Sequence, residues 1–309
     1  MTSRFPRSIA LAIAILVGPA SAQEATARRA LIAPPARPGD LVVQADTVVL
    51  GKVIEIDKDE VAATPFPGAP KDQAVAYKVA VVKVEDTLAG GKGLTQYRVG
   101  FPANAPPAVP PAGRPRRPGL EPVTLAVGQD GCFLLVRHHE ADFYIVVPGG
   151  KPILKAEKAY ESDLAEVKKS ARALEDPVAA LKAKDLADRF WAGYVLVQKY
   201  NQATPGKGGK LPPREPVPAE ERKLLVQLLI DLPWSSNSPL ARGGPGQPPS
   251  RAALWGFLNP DEIGFKPPEA KPFQPGDPPV DFNKVMDEAT SKFLKANGDK
   301  VVLKRYARE

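Results

Sequence analysis

The residues best equipped for chemistry in this chain sit in one short turn. His138 and His139 are the only histidines, and Glu140 and Asp142 follow within four residues. Imidazole and carboxylate are both good zinc ligands, so His138, His139 and Asp142 are the candidate set should a metal be held. Neighbouring histidines at the end of a strand project to opposite sides, however, and a third strong ligand is missing. The expectation is that no metal or other cofactor is bound. A histidine acting as base needs a hydroxyl or thiol within reach and a partner to orient it, and the local sequence names neither.

Other reactive residue types carry less. Cys132 is the single cysteine and lies in an apolar run beside Phe133 and Leu134, where it reads as a small buried hydrophobe. Asp57, Asp59 and Glu60 share one turn without the oxygen-ligand spacing of a calcium loop. Gly90-Gly91-Lys92-Gly93 and Gly206-Lys207-Gly208-Gly209 lack the hydroxyl residue and following helix of a phosphate-binding loop, and read as solvated turns. The serine-hydrolase elbow and the His-Glu-x-x-His zinc helix do not occur. Arg114, Arg116 and Arg117, in a proline-rich stretch, are the one charged cluster with no evident structural role, and are candidate contacts for an anionic surface.

These residues must be positioned by about five strands. Thr47 to Ile56 is β-branched and partly alternating, with Gly51 marking a bulge or bend. Val75 to Val84 follows, its apolar phase changing at Val81-Val82, a second bulge. Gln96 to Phe101 comes next, and residues 102–122, with eight prolines, form an exposed loop. Val123 to Val127 leads to a turn at Gly128–Gly131. Cys132 to Val136 and Phe143 to Val147 then form a hairpin across Arg137–Asp142, the histidine turn. Short, twisted, bulged strands with little helix between them suit a small closed barrel.

After Pro148-Gly149-Gly150 the period becomes helical. Tyr160, Leu164, Val167, Ala171 and Leu174 form one stripe, and Asp176-Pro177 reads as a cap and first helical residue. Leu186 to Tyr200 is apolar nearly all round, so it is the central helix. A helix opens at Glu220-Glu221, a short one runs from Ser250 to Leu258, and the last covers Asp281 to Ala296. Trp191, Trp234 and Trp255, one in each of three helical segments, read as core. The fold class is α+β, a small OB-like β-barrel followed by a separate helical domain. Its organisation is a signal peptide over 1–22, a flexible leader over 23–39, the barrel over 40–150 and the helices over 151–309.

The signal peptide is read from Arg4 and Arg7, the apolar run Ile9 to Val17, and Ala20-Ser21-Ala22 before Gln23. Nine apolar residues span only ~14 Å as helix against a hydrocarbon core of ~30 Å, so cleavage is expected and no membrane span remains afterwards. The mature chain is expected to be extracytoplasmic, periplasmic or secreted. A formal net charge of +7 over 309 residues is too dispersed to imply nucleic acid.

The strand pieces Ala45 to Val53, Tyr77 to Val84 and Gly128 to Leu135 resemble the netrin-type, or tissue-inhibitor-of-metalloproteinase-like, OB barrel of exported proteins. The resemblance covers about residues 40–148 and implies a barrel fold without catalytic residues. Inhibitors of that family hold a target's zinc through an N-terminal cysteine. Here the mature start is Gln23, so that mechanism does not transfer. The second half resembles helical regions of exported bacterial proteins with no assigned activity. The function expected is non-enzymatic binding of a protein or cell-envelope partner, the alternative being a metal-dependent hydrolase centred on His138 and His139.

Overall fold

Two apolar faces on the same strands organise the protein. The computed structural model describes residues 37–91, 93–104, 123–203, 211–234, 250–269 and 280–307. The segment expected to be signal peptide and the arginines 114, 116 and 117 lie outside the described residues. From residue 36 onward the chain is one compact unit. It is a mixed α+β structure: a closed five-stranded barrel with, among the described residues, seven α-helices.

The barrel strands are β1 (Thr47–Ile56), β3 (Val75–Ala89), β4 (Gln96–Pro102), β5 (Asp130–Arg137) and β6 (Tyr144–Val146). Their order around the barrel is β1-β3-β4-β6-β5, closed by antiparallel pairing of β5 with β1. All neighbours are antiparallel except β4 and β6, which run parallel at Val99–Tyr144 and Gly100–Ile145. Two short strands extend the sheet: β2 (Val61–Ala63) beside β3, and β7 (Ile153–Leu154) beside β5. Closure leaves the five barrel strands without a free edge of the kind open sheets must protect.

Strand β5 explains its own sequence. Phe133 and Leu135 join Val49, Val53, Val82, Tyr97, Val99 and Phe101 inside the barrel. Cys132 and Leu134, on the other face, join Val48, Val147, Leu164, Val167 and Ala171 beneath a helix. A strand covered on both sides has no polar alternation to show, hence the unbroken run Cys132 to Leu135. Leu125 also packs into the barrel interior from a stretch that forms no strand.

Irregularities occur at both expected places, each with its extra residue on the partner strand. Register shifts fall at Leu50/Gly51, where Glu85 of β3 is the extra residue, at Val53/Glu55, and also at Val48/Val49. Gly51 pairs with Gly131 across the closing seam, and a Cβ on either would strike a neighbouring backbone carbonyl. The second shift inserts Ile54 on β1 opposite Val81-Val82, so the extra residue belongs to the partner of the strand whose phase changes.

The helices are α1 (Pro38–Val42), α2 (Tyr160–Glu175), α3 (Pro177–Leu181), α4 (Leu186–Tyr200), α5 (Ala219–Asp231), α6 (Arg251–Trp255) and α7 (Phe282–Asn297). Helix α2 buries Tyr160, Leu164, Val167 and Ala171 against the barrel. Asp176 accepts from the Ala179 amide at 2.9 Å and starts α3 with Pro177 behind it. Asp185 does the same for α4 through the amides of Ala187 and Asp188. Every residue of α4 from Phe190 to Val197 is buried, and it is the hub of the helical core.

Barrel and helices are tied together by polar contacts as well as packing. Lys199 at the end of α4 donates to the Val43 carbonyl at 2.7 Å, just before β1. Trp191 Nε1 donates to Ser170 Oγ at 3.2 Å, linking α4 to α2. Leu174 packs against both the barrel-side and the helical clusters. The C-terminal tail docks as β9 (Lys304–Tyr306), pairing with β8 (Arg214–Pro216). No helix among the described residues is long and apolar enough to cross a membrane.

Candidate functional site

The site is built where two barrel loops meet. One loop leaves β1 and carries β2 and Thr64. The other is the turn 138–143 between β5 and β6. Phe143 anchors that turn by lying against Gly100 of β4, and a Cβ at Gly100 would run into the ring. Tyr77 of β3 packs beside it with ring centroids 5.3 Å apart, both rings buried. Ala63, Tyr77, Val79 and Phe143 form a small apolar cluster of their own, distinct from the barrel interior.

His138 is the keystone of the turn and only 4% exposed. Its amide donates to the Phe143 carbonyl at 3.0 Å. Its ring lies 4.8 Å from Phe143 and meets Tyr77 at 5.5 Å in an edge-on arrangement. Nδ1 accepts from two backbone amides, Glu140 at 3.2 Å and Ala141 at 3.1 Å. Two donors on one nitrogen fix it as the unprotonated one, so the ring proton sits on Nε2. Nε2 is buried beside the Thr64 backbone without completing a hydrogen bond. Burial, and then the neighbouring His139, push the His138 pKa below its ordinary value, overcoming the opposite pulls of Thr64 and Glu140.

His139 stacks on His138 with ring centroids 4.4 Å apart and planes 29° from parallel. This overturns the expectation that the two rings diverge. Strand geometry ends at Arg137, and alternation of side chains ends with it. From His139, Nε2 reaches Thr64 Oγ1 at 2.9 Å. Glu140 Oε2 receives both the Thr64 amide at 3.0 Å and its hydroxyl at 2.5 Å. The hydroxyl proton is thus given to Glu140, and Thr64 Oγ1 accepts from His139. Those two bonds, hydroxyl first, hold the Glu140 pKa below the usual carboxylate range.

A hydroxyl between an imidazole and a carboxylate is an arrangement from which nucleophiles are built. Here its parts are spent otherwise. Thr64 is 8% exposed, its proton is committed to Glu140, and His139 donates to it, the reverse of a base. The arrangement clamps two loops. Asp142 does not join it: its side chain is 92% exposed and lies 3.8 Å from Arg137. Among the described residues no group of three or more His, Cys, Asp or Glu side chains could hold a metal ion. Thr64, Tyr77 and Phe143 complete the site, and nothing in the sequence singles them out.

The remaining candidates are dispersed. Asp57 pairs with Arg98 at 3.1 Å, while Asp59 and Glu60 face solvent. Cys132 is fully buried, and burial pushes its thiol up to about 12. Gly90, Gly91 and Gly93 all have positive φ, which makes the turn glycine-dependent. Trp191 and Trp255 are core residues, and Trp234 is partly buried against the same cluster. Gly206 to Gly209 lie outside the described residues. A narrow cleft lined by Tyr200, Arg214 and Phe257, with the Tyr200 hydroxyl buried and unbonded, has room for about one water molecule.

Compared with known proteins, the chain matches no family model and no curated sequence.

Proposed function

We propose that the protein is an exported, non-enzymatic binding protein whose OB-like barrel engages a protein or cell-envelope partner. The observation that carries the reading is the loop pair at Thr64 and His138–Phe143. OB barrels bind along their second and third strands, between the loop after the first strand and the loop joining the last two. In this barrel those loops are clamped to each other by Thr64, His139 and Glu140, beside β3 and β4. The parallel pairing of β4 with β6 within a five-stranded closure supports the OB-like assignment, and the netrin-type resemblance is its finer form. Phe66, 56% exposed two residues after Thr64, supplies an apolar contact at this edge. Export rests on the signal-like segment Arg4 to Ala22.

The test is residue-specific photo-crosslinking in cells exporting the full chain, with the probe at Phe66 and, for comparison, at Lys223 on α5. A defined adduct of the exported form, starting at Gln23 by intact mass, is expected from Phe66 alone. Equal labelling from both positions, or an adduct only from Lys223, would place binding elsewhere. Recovery of a chain that keeps Met1 would remove the export assignment.

A further inference from the structure

We propose that the turn 138–143 is an acid-sensitive latch: protonation of His138 on Nδ1 destroys the acceptor for two backbone amides and releases the turn from β3 and β4. The geometry makes the neutral ring a structural part. Nδ1 is the acceptor for the Glu140 and Ala141 amides, which are the two donors that the turn must satisfy to fold back. A proton on Nδ1 converts that acceptor to a donor facing two other donors. The charge is created on a side chain only 4% exposed, stacked 4.4 Å from a second imidazole.

The groups facing His138 offset that charge only in part: the Thr64 backbone and the Glu140 carboxylate favour it, but burial and His139 outweigh them. From β3 comes the Tyr77 phenol ring, edge-on and neutral, its own pKa raised by burial. From the loop after β2 comes only the Thr64 backbone. From its own turn come His139 and Glu140, and the carboxylate is already occupied by Thr64. At the foot of the turn Arg137 pairs loosely with Asp142, and Arg98 donates to the Asp142 carbonyl at 3.4 Å. A ring whose pKa is lowered on folding takes up its proton more readily when the turn is open. The latch is therefore fully closed above the ordinary histidine value of about 6.5 and weakens as pH falls below it. Glu140, also lowered, begins to lose its bonds to Thr64 only further into acid, so the histidine step comes first.

Release bares Tyr77 and Phe143, now buried, beside β3 and β4. That exposure would make partner binding pH-dependent if the binding reading above holds; the latch itself stands without it. The test reads the turn alone. Amide exchange of Glu140 and Ala141 is measured on the full chain at pH 7 and pH 5, corrected for intrinsic exchange, alongside the histidine ring nitrogens by NMR. Protection should fall by roughly tenfold at pH 5, within the ~30-fold that an open-state value of about 6.5 allows, while β1 and β5 amides keep theirs. The loss should track the titration of a ring that is Nε2-protonated at neutral pH. In His138→Asn the side-chain oxygen accepts without titrating, so protection should be the same at both pH values. Unchanged protection in the wild type, equal acid loss in His138→Asn, or a His138 ring protonated on Nδ1 at pH 7 would each overturn the latch. The ring measurement decides even where the variant folds poorly.

Discussion

Replacing Arg251 by methionine tests how the helical half is held together. Arg251 is 2% exposed at the start of α6. Its Nε donates to the Leu229 carbonyl at 2.6 Å and Nη2 to that of Leu232 at 2.7 Å. Its Nη1 donates to Thr290 Oγ1 and Ser291 Oγ, both at 2.7 Å, and to the Asp287 carbonyl at 3.1 Å. Helix α5 ends at Asp231, so Leu229 and its successors are among the carbonyls that a helix end leaves without intrahelical partners. One guanidinium satisfies those of Leu229, Ile230 and Leu232 and joins α5 to α7. Methionine keeps the apolar stem but strands two well-bonded buried carbonyls at ~1–3 kcal/mol each. Loss of the links to α7 brings the total to about 3–5 kcal/mol, a large share of the ~5–15 kcal/mol by which domains are stable. At ~2–4 °C per kcal/mol, the melting temperature should fall by roughly 10 °C. Thermal unfolding by circular dichroism and the urea midpoint measure it. Arg251→Lys should recover less than half of the loss, because an ammonium donates from one point and cannot bridge both helices. A methionine variant melting within ~2 °C of the wild type would refute the role given to this residue.

Two further outcomes rest on packing. Gly100→Ala should displace Phe143 from its seat and destabilise by ~1–3 kcal/mol, with the turn 138–143 losing amide protection before the rest of the barrel; an unchanged melting curve would mean the seat is not tight. Native Cys132 should resist a water-soluble disulfide reagent at pH 8, because its thiol is buried and pushed up to about 12, and should react only at the unfolding rate; rapid stoichiometric labelling of folded protein would contradict its place beneath α2.

What the sequence made legible was periodicity, and its failures have specific causes. The stripe Tyr160–Leu164–Val167–Ala171 and the all-round apolar α4 read directly as one covered face and one hub. Strand β3 runs on to Ala89, beyond the expected end at Val84, because Glu85 and Asp86 are positions on a strand still paired to β1. Helix α1 begins at Pro38 inside what reads as leader, since Leu41 and Val42 are buried against α2 and the barrel. Strands β2, β7, β8 and β9 are two or three residues long, too short for any period to register. Their existence depends on the neighbours they pair with, from about a dozen residues away for β2 to about ninety for β8 and β9.

The site was half legible for the same reason. The histidines announce themselves by rarity, but the groups that set their chemistry arrive through the fold. Thr64 is 75 residues from His139, in a proline-rich loop with no pattern pointing at it. Gly100 matters only because Phe143 needs its missing side chain. Counting ligands in the sequence therefore asks of His138 what it has to offer a metal, whereas its Nδ1 is already consumed by its own backbone. An imidazole with one nitrogen bonded to two amides and the other enclosed has no lone pair free for an external ligand while the turn is closed. Its chemistry becomes available only when those two amides let go. The proton that breaks them is thus the first ligand the His138 ring can take.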